Sequence, residues 1–234
     1  MTTLLDPLAA RYVRPDPSHP LVIPPEPDGV IRAMPVILRL ERPPPARTPV
    51  LEAAAAAALA VCLDPRAEPG GEWHDAVAMW VGNRIRKIAR RARGAHWEAV
   101  QELPGVTWEV DGAQARALVP GPVTEVSKTV SRLQIGGTEL EPDDPGPPAP
   151  GVPVIWVNAR LEMTVGKAAA QVGHASMLYA AAHRLTMVPA FAVRDADGGQ
   201  WAQLCHAAER GEAVAVRDAG FTEVAPGTIT TIVR

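Results

Sequence analysis

The chain has 234 residues, 47% of them hydrophobic and 21% charged, with a formal net charge of −3. That length bounds it to one larger domain or two small ones, either able to bury a core, and the slightly acidic balance excludes attraction of nucleic acid by overall charge. Cys62 and Cys205 stand alone in sequence and indicate neither a disulfide framework nor a zinc site, and the longest apolar run, the Ala-rich Leu51 to Leu63, is too short to span a bilayer.

In chain order, the opening MTTLLDPLAARYVRPDP lacks the basic start and long apolar run of a signal peptide, so a cytoplasmic protein with no membrane partner is expected. Proline is the anomaly, 25 residues gathered into punctuating stretches. The first of these makes residues 1–33 an extended, Pro-rich arm. MPVILRL (34–40) predicts a strand and Val50 to Leu63 a helix. Trp73 to Leu103 predicts one long helix, with Val77, Val81, Ile85, Ile88 and Ala92 spaced as an apolar stripe. VTWEV (106–110), ARALV (115–119) and SRLQI (131–135) follow as short strands, completing an α/β domain over 34–140. EPDDPGPPAPGVP (141–153) has the composition of a semi-rigid connector, giving a Pro/Gly linker over 141–151.

Residues 152–234 are more regular. PVIWV (153–157) predicts a strand, Gly166 to His183 a helix, AFAVR (190–194) a strand, GGQWAQLCHAAERG (198–211) a helix, EAVAVRD (212–218) a strand and TITTIV (228–233) a final strand. The fold class expected is α/β: a mixed four-stranded sheet flanked by helices, preceded by an α/β domain readable as a degenerate repeat of it. Two string matches point to that repeat, MPVILRLE (34–41) with VPVIWVNA (152–159), and ALVPGPVTEV (117–126) with AVRDAGFTEV (215–224).

Chemistry concentrates in two segments of this half. In MTVGKAAAQVGHASM (163–177), Lys167, Gln171 and His174 fall on one helix face, while Ala168, Val172, Ala175, Tyr179 and Ala182 form the apolar stripe elsewhere. A lysine at a helix start opposes the macrodipole unless it meets an anion; on residue types alone the pattern better fits a solvated lysine and a packed histidine. A phosphate-binding P-loop is excluded, because its required positions hold Leu161 and Ala168. In RDAGFTEVAPGT (217–228), Asp218 leaves a strand, Gly220 permits a bend and Thr222 returns beside the carboxylate. Such a pair can hold a water, or can simply organise its own turn.

Together, MxxGKxAAQxxHA and DAGxTxxxPGT, in this order and between these elements, resemble the signature pair of the peptidyl-tRNA hydrolase 2 family over Val152 to Arg234. The resemblance implies a mixed four-stranded sheet with packed helices and hydrolysis of the ester bond between peptide and tRNA, needing neither cofactor nor metal. It assigns catalytic roles to Lys167, Asp218 and Thr222, and substrate-binding roles to Gly166, Gln171 and His174. The chain departs from the family pattern at Val165, Asn158, Arg160, Phe221 and Glu223, where the family's usual cations or polar partners are replaced. The alternative is a non-catalytic RNA-binding or regulatory protein on the same scaffold.

From Val152 to Arg234 there are seven Lys/Arg and seven Asp/Glu, so this half is neutral. A tRNA partner would need positive charge from elsewhere, and NRIRKIARRAR (83–93) is the richest source, with Arg84, Lys87 and Arg91 the candidate phosphate contacts. Because the family is typically dimeric, the expected state is a homodimer or a monomer whose first half acts as a pseudo-partner.

Overall fold

The computed structural model describes residues 3–13, 26, 28–136, 139–220 and 223–234. The chain is α/β. A short helix α1 (Asp6–Leu8) runs into a π-helical turn, Ala9–Val13. The first half then follows the order β1 (Arg32–Arg39), α2 (Arg47–Leu63), α3 (His74–Gly82), β2 (Lys87–Ala92), α4 (Ala95–Gln101), β3 (Gly105–Val110), β4 (Ala113–Leu118), β5 (Gly121–Pro122) and α5 (Lys128–Ser131). The second half comprises β6 (Val154–Asn158), α6 (Val165–His183), β7 (Ala192–Ala196), α7 (Gly198–Glu209), β8 (Val214–Arg217) and β9 (Ile229–Val233).

The two halves trace one topology. The first sheet has the order β2-β1-β4-β3, with β5 as an extra rung on β1, and the second has the order β7-β6-β9-β8. In each the first two strands are parallel and the remaining pairs antiparallel. The string matches do not identify this correspondence. Val36 and Leu38, buried against the central helices, match Ile155 and Val157, and Ile37 on the outer face matches Trp156. MPVILRLE is therefore one residue out of register with VPVIWVNA, a slip that exchanges the two faces of a strand. The second match pairs Ala117 of β4 with Ala215 of β8, whereas the counterpart of β4 is β9.

Each sheet carries one long helix on its inner face, and α2 and α6 pack on each other, so the centre is layered sheet, helix, helix, sheet. The sequence allows this close approach because the residues that meet are small: Ala55 and Ala58 on α2 lie against Ser176 and Gly173 on α6. The Ser176 hydroxyl donates to the Ala55 carbonyl at 2.7 Å. A Cβ added at Gly173 would lie 3.1 Å from the Ala58 Cβ and 3.0 Å from Lys87 Cε. One hydrophobic core thus runs through both halves, while Trp97, Val100 and Leu133 cover the outer face of the first sheet and Leu204 that of the second.

Several expected elements differ. The long helix over Trp73 to Leu103 is three pieces: α3, the edge strand β2 and α4. Gly82 and Asn83 stop α3, with Asn83 Nδ2 donating to the Met79 carbonyl at 2.7 Å and Arg11 donating to the carbonyls of Val81 and Asn83, a cation at a helix C-terminus. Beyond it the residues alternate with period two, Lys87, Ala89 and Arg91 on one face and Ile88, Arg90 and Ala92 on the other. SRLQI is not a strand: Ser127 caps α5 by accepting from Val130 N at 3.3 Å, and only Gln134 bridges to Arg91. The arm expected to be extended over 1–33 begins with the buried Leu5 and Leu8 of the α1 segment and ends in β1; the Pro-rich residues 14–25 and 27 lie outside the described residues.

Residues of the expected linker dock on both halves. Asp143 Oδ1 accepts from Thr48 N (3.0 Å) and Thr48 Oγ1 (2.8 Å) at the start of α2, and the Gly146 carbonyl accepts from Arg194 Nε at 2.8 Å. No helix among the described residues is long and apolar enough to cross a membrane.

Candidate active site

The site forms where the start of α6 meets the end of β8. Thr164 caps α6, its Oγ1 accepting from Lys167 N at 3.2 Å, and its own N and Oγ1 donate to the Glu223 carboxylate at 3.0 and 2.6 Å. Glu223 lies in the β8–β9 loop, so this contact ties the loop to the helix that carries Lys167. A carboxylate at a helix N-terminus also complements the dipole.

Asp218 leaves β8 as its first residue beyond the strand. Its backbone N donates to the Thr228 carbonyl at 2.9 Å, and its carbonyl accepts from Gly227 N at 2.8 Å, closing the base of the loop. Its Oδ1 accepts from Gly220 N at 2.7 Å, a turn of the kind aspartate favours. Gly220 has φ +79°, and a Cβ there would lie 2.4 Å from Pro226 Cγ, so only glycine fits between the carboxylate and the Pro226–Gly227 turn.

The other carboxylate oxygen, Oδ2, receives Lys167 Nζ at 2.5 Å and Gln171 Nε2 at 2.8 Å. Gln171 is buried, and its Oε1 accepts from Thr230 Oγ1 at 2.6 Å, which orients the amide with its nitrogen toward Asp218. Lys167 and Asp218 side chains are 9% and 8% exposed, so the pair sits at the bottom of the loop, screened from bulk solvent. The chain Thr230, Gln171, Asp218, Lys167 is a continuous polar network, with each group holding the next. A carboxylate has about four acceptor positions, and described residues fill three of them. The remaining acceptor capacity suits a water or a substrate hydroxyl.

The structure thus brings together Lys167, Gln171 and Asp218 of the expected site residues. Thr222 lies outside the described residues, as does Phe221. His174 sits one turn further along α6 and turns to the other half, where its Nδ1 lies 3.1 Å from Lys87 Nζ. Burial and the charges of Lys87 and Lys167 hold the imidazole well below its usual range, so it is neutral and accepts from the lysine. Burial likewise brings Lys87 down to about 7, with Trp80 beside it, its ring centroid 5.0 Å from Nζ, and pushes the Cys62 thiol up to about 12. Gly166 packs on β2: a Cβ there would lie 3.5 Å from the Ala89 Cβ.

Of the basic segment, Arg84 lies half-buried between α3 and β2, Arg86 pairs with Glu26, and Arg91 is held by Gln134. Sequence reasoning missed Thr230 and treated Glu223 only as a departure from the family pattern. Thr230 is hidden within the β-branched run TITTIV, where a threonine reads as a strand former; Glu223 pairs with a helix cap that only the folded loop brings near. Among the described residues no three His, Cys, Asp or Glu side chains converge as a metal site. No family model, no curated protein and no solved structure matches the chain.

Proposed function

We propose that the chain hydrolyses the ester of peptidyl-tRNA, an N-substituted aminoacyl-tRNA, releasing tRNA and peptide in the cytoplasm. The observation that carries this reading is the contact of Lys167 and Gln171 with one oxygen of Asp218, because these residues come from the two motifs that resemble the family signature. Asp218 Oδ1 accepts a proton from water as the water oxygen bonds to the ester carbonyl carbon. Lys167 offsets the negative charge that develops on the carbonyl oxygen. Collapse of the tetrahedral intermediate breaks the bond to the ribose oxygen, which takes the proton from Asp218 and leaves as the tRNA 3′-terminal hydroxyl. By the resemblance, the Thr222 hydroxyl helps to hold the water.

The test is release of tRNA from N-acetylated aminoacyl-tRNA by wild type, Lys167→Ala and Asp218→Ala. Release by wild type, with a large loss in both variants, is the expected result. Equal, background-level release by all three would sink the enzyme reading, and tRNA binding retained in that case would favour a non-catalytic RNA-binding protein. The near-complete enclosure of Asp218 by its own chain is the observation on that side.

A further inference from the structure

A second concavity lies in the first half, at the carboxyl ends of the parallel strands β1 and β2, the edge where open α/β sheets bind ligands. It encloses about 390 Å³ and is lined by Arg42, Arg91, Arg93, Arg132 and His96, against two carboxylates, Glu41 and Glu139. Glu41 is engaged, accepting from Arg39 Nε and Gly94 N at 3.1 Å each. Arg42, Arg93, Arg132 and His96 are exposed, so the cleft presents guanidinium groups to solvent in a chain whose net charge is −3. Planar guanidinium forks match phosphate oxygens in geometry as well as charge.

Its position relates it to the candidate active site. Along α6, His174 meets Lys87 and Gly166 meets Ala89, so the helix runs antiparallel to β2 with its amino end toward the carboxyl end of the strand. Arg91 is the next residue on that face of β2, about 7 Å further on, and Arg93 follows. The cleft therefore lies toward the same end of the first sheet as the amino end of α6, with His96 and Leu133 forming its wall on the outer face.

We propose that this cleft binds the phosphodiester backbone of the tRNA whose 3′-terminal ester faces Lys167 and Asp218. The proposal rests on the peptidyl-tRNA reading for the identity of the nucleic acid, and the cleft itself is independent of the motifs that carry that reading. It gives the first half a role: a scaffold without the GK and DAG motifs supplies the positive surface that the neutral second half lacks.

The test measures binding of fluorescein-labelled, deacylated tRNA to the full chain by anisotropy between 50 and 200 mM salt, for wild type and the charge-reversed R93E/R132E variant. Both positions are exposed, and an unchanged circular dichroism spectrum and melting temperature establish that the variant is folded. The expected result is binding weakened by about tenfold or more at the lowest salt, with the slope of log affinity against log salt reduced by about 1 to 2. Unchanged affinity and slope overturn the proposal, whatever the release assay shows. Cleft-dependent tRNA binding without ester hydrolysis upholds it while the catalytic reading fails. ATP is the competing arm: displacement of tRNA by ATP at concentrations comparable to the tRNA itself would overturn the backbone assignment in favour of a small phosphorylated ligand.

Discussion

Between β3 and β4 the chain reverses over two residues, Asp111 (φ 46°) and Gly112 (φ 78°), the left-handed pair of a tight hairpin. At the equivalent point between β8 and β9 it takes eleven residues, from Asp218 to Thr228, and that excursion carries Asp218, Gly220 and Glu223. The facing helices differ in the same way. At the third and seventh positions of the helix α6 has Lys167 and Gln171, where α2 has Pro49 and Ala53. One topology therefore serves twice, with the candidate site confined to one longer connection and two helix positions. A shared fold is not a shared function, and the difference between the halves predicts where substitutions will hurt activity and where they will hurt only stability.

The largest effect is expected at the aspartates that end β8 and β3. Asp218→Ala removes the acceptor for Lys167 and Gln171, and release of tRNA from N-acetylated aminoacyl-tRNA should fall by about 10²–10⁴-fold, the range for loss of a positioned acid-base group. Asp111→Asn, which keeps a residue tolerant of positive φ at the hairpin, should leave the rate within about twofold. Equal losses in the two variants would break the functional asymmetry of the halves.

The next effect tests the contact between the halves. Gly173→Val places carbon within 3.1 Å of Ala58 Cβ and 3.0 Å of Lys87 Cε, and overpacking of a helix interface costs about 1–3 kcal/mol. In urea denaturation the variant should lose that much in a single transition, because one core spans both sheets. Two separated transitions would show that the halves fold as independent units.

What the sequence made legible follows from how local each signal is. In the second half, the continuous run from Gly166 to His183, Gly211 after α7 and the β-branched Ile229–Val233 each announce an element from within a few residues, and the elements fall close to the expected bounds. In the segment after Trp73, apolar residues at spacings of three and four also satisfy an alternation of two, and Gly82–Asn83 decides for a break. The Lys167–Asp218 pairing was accessible only through motif resemblance, since the two lie 51 residues apart. The Lys87–His174 contact, 87 residues apart, depends on how the two halves dock, and nothing near either residue encodes it.

That contact gives the third prediction. Lys87 is held at about 7 in the folded chain and returns to its ordinary 10.5 on unfolding. Between these values the unfolded chain binds a proton that the folded chain does not, so stability rises with pH from about 7 to 10.5 and the destabilising charge is fully present below 7. His174 acts in the same direction at lower pH: held well below 6.5, it costs stability as pH falls through that value. The gain from pH 7 to 10 should be about 2 kcal/mol, less than a full shift allows because Lys87 keeps part of its surface in water. Lys87→Met should flatten that rise. At the corresponding contact in the other half, Arg194 meets Glu52 on α2 at 3.2 Å, and Arg194→Met should leave the slope over the same window unchanged because arginine stays charged throughout. Identical slopes in wild type and Lys87→Met would remove Lys87 as the cause.

The smallest effect compares two carboxylates that each hold a threonine at the start of a central helix. Asp143 receives the N and Oγ1 of Thr48 on α2, and Glu223 receives the N and Oγ1 of Thr164 on α6. Asp143 comes from the connector and grips a buried threonine, whereas Glu223 comes from the β8–β9 loop and is exposed. Removing a cap acceptor costs about 0.5–2 kcal/mol, and the cost grows when the donor left behind is buried. Asp143→Ala should therefore lose about 1 kcal/mol in urea denaturation, and Glu223→Ala about half that or less. Activity should follow the opposite order: Glu223 ties the loop bearing Asp218 to the helix bearing Lys167, so Glu223→Ala should slow release several-fold while Asp143→Ala leaves it near wild type. If Asp143→Ala instead proves neutral in stability, the connector acts as a spacer rather than a clasp on α2, and the two halves are joined by the α2–α6 core alone.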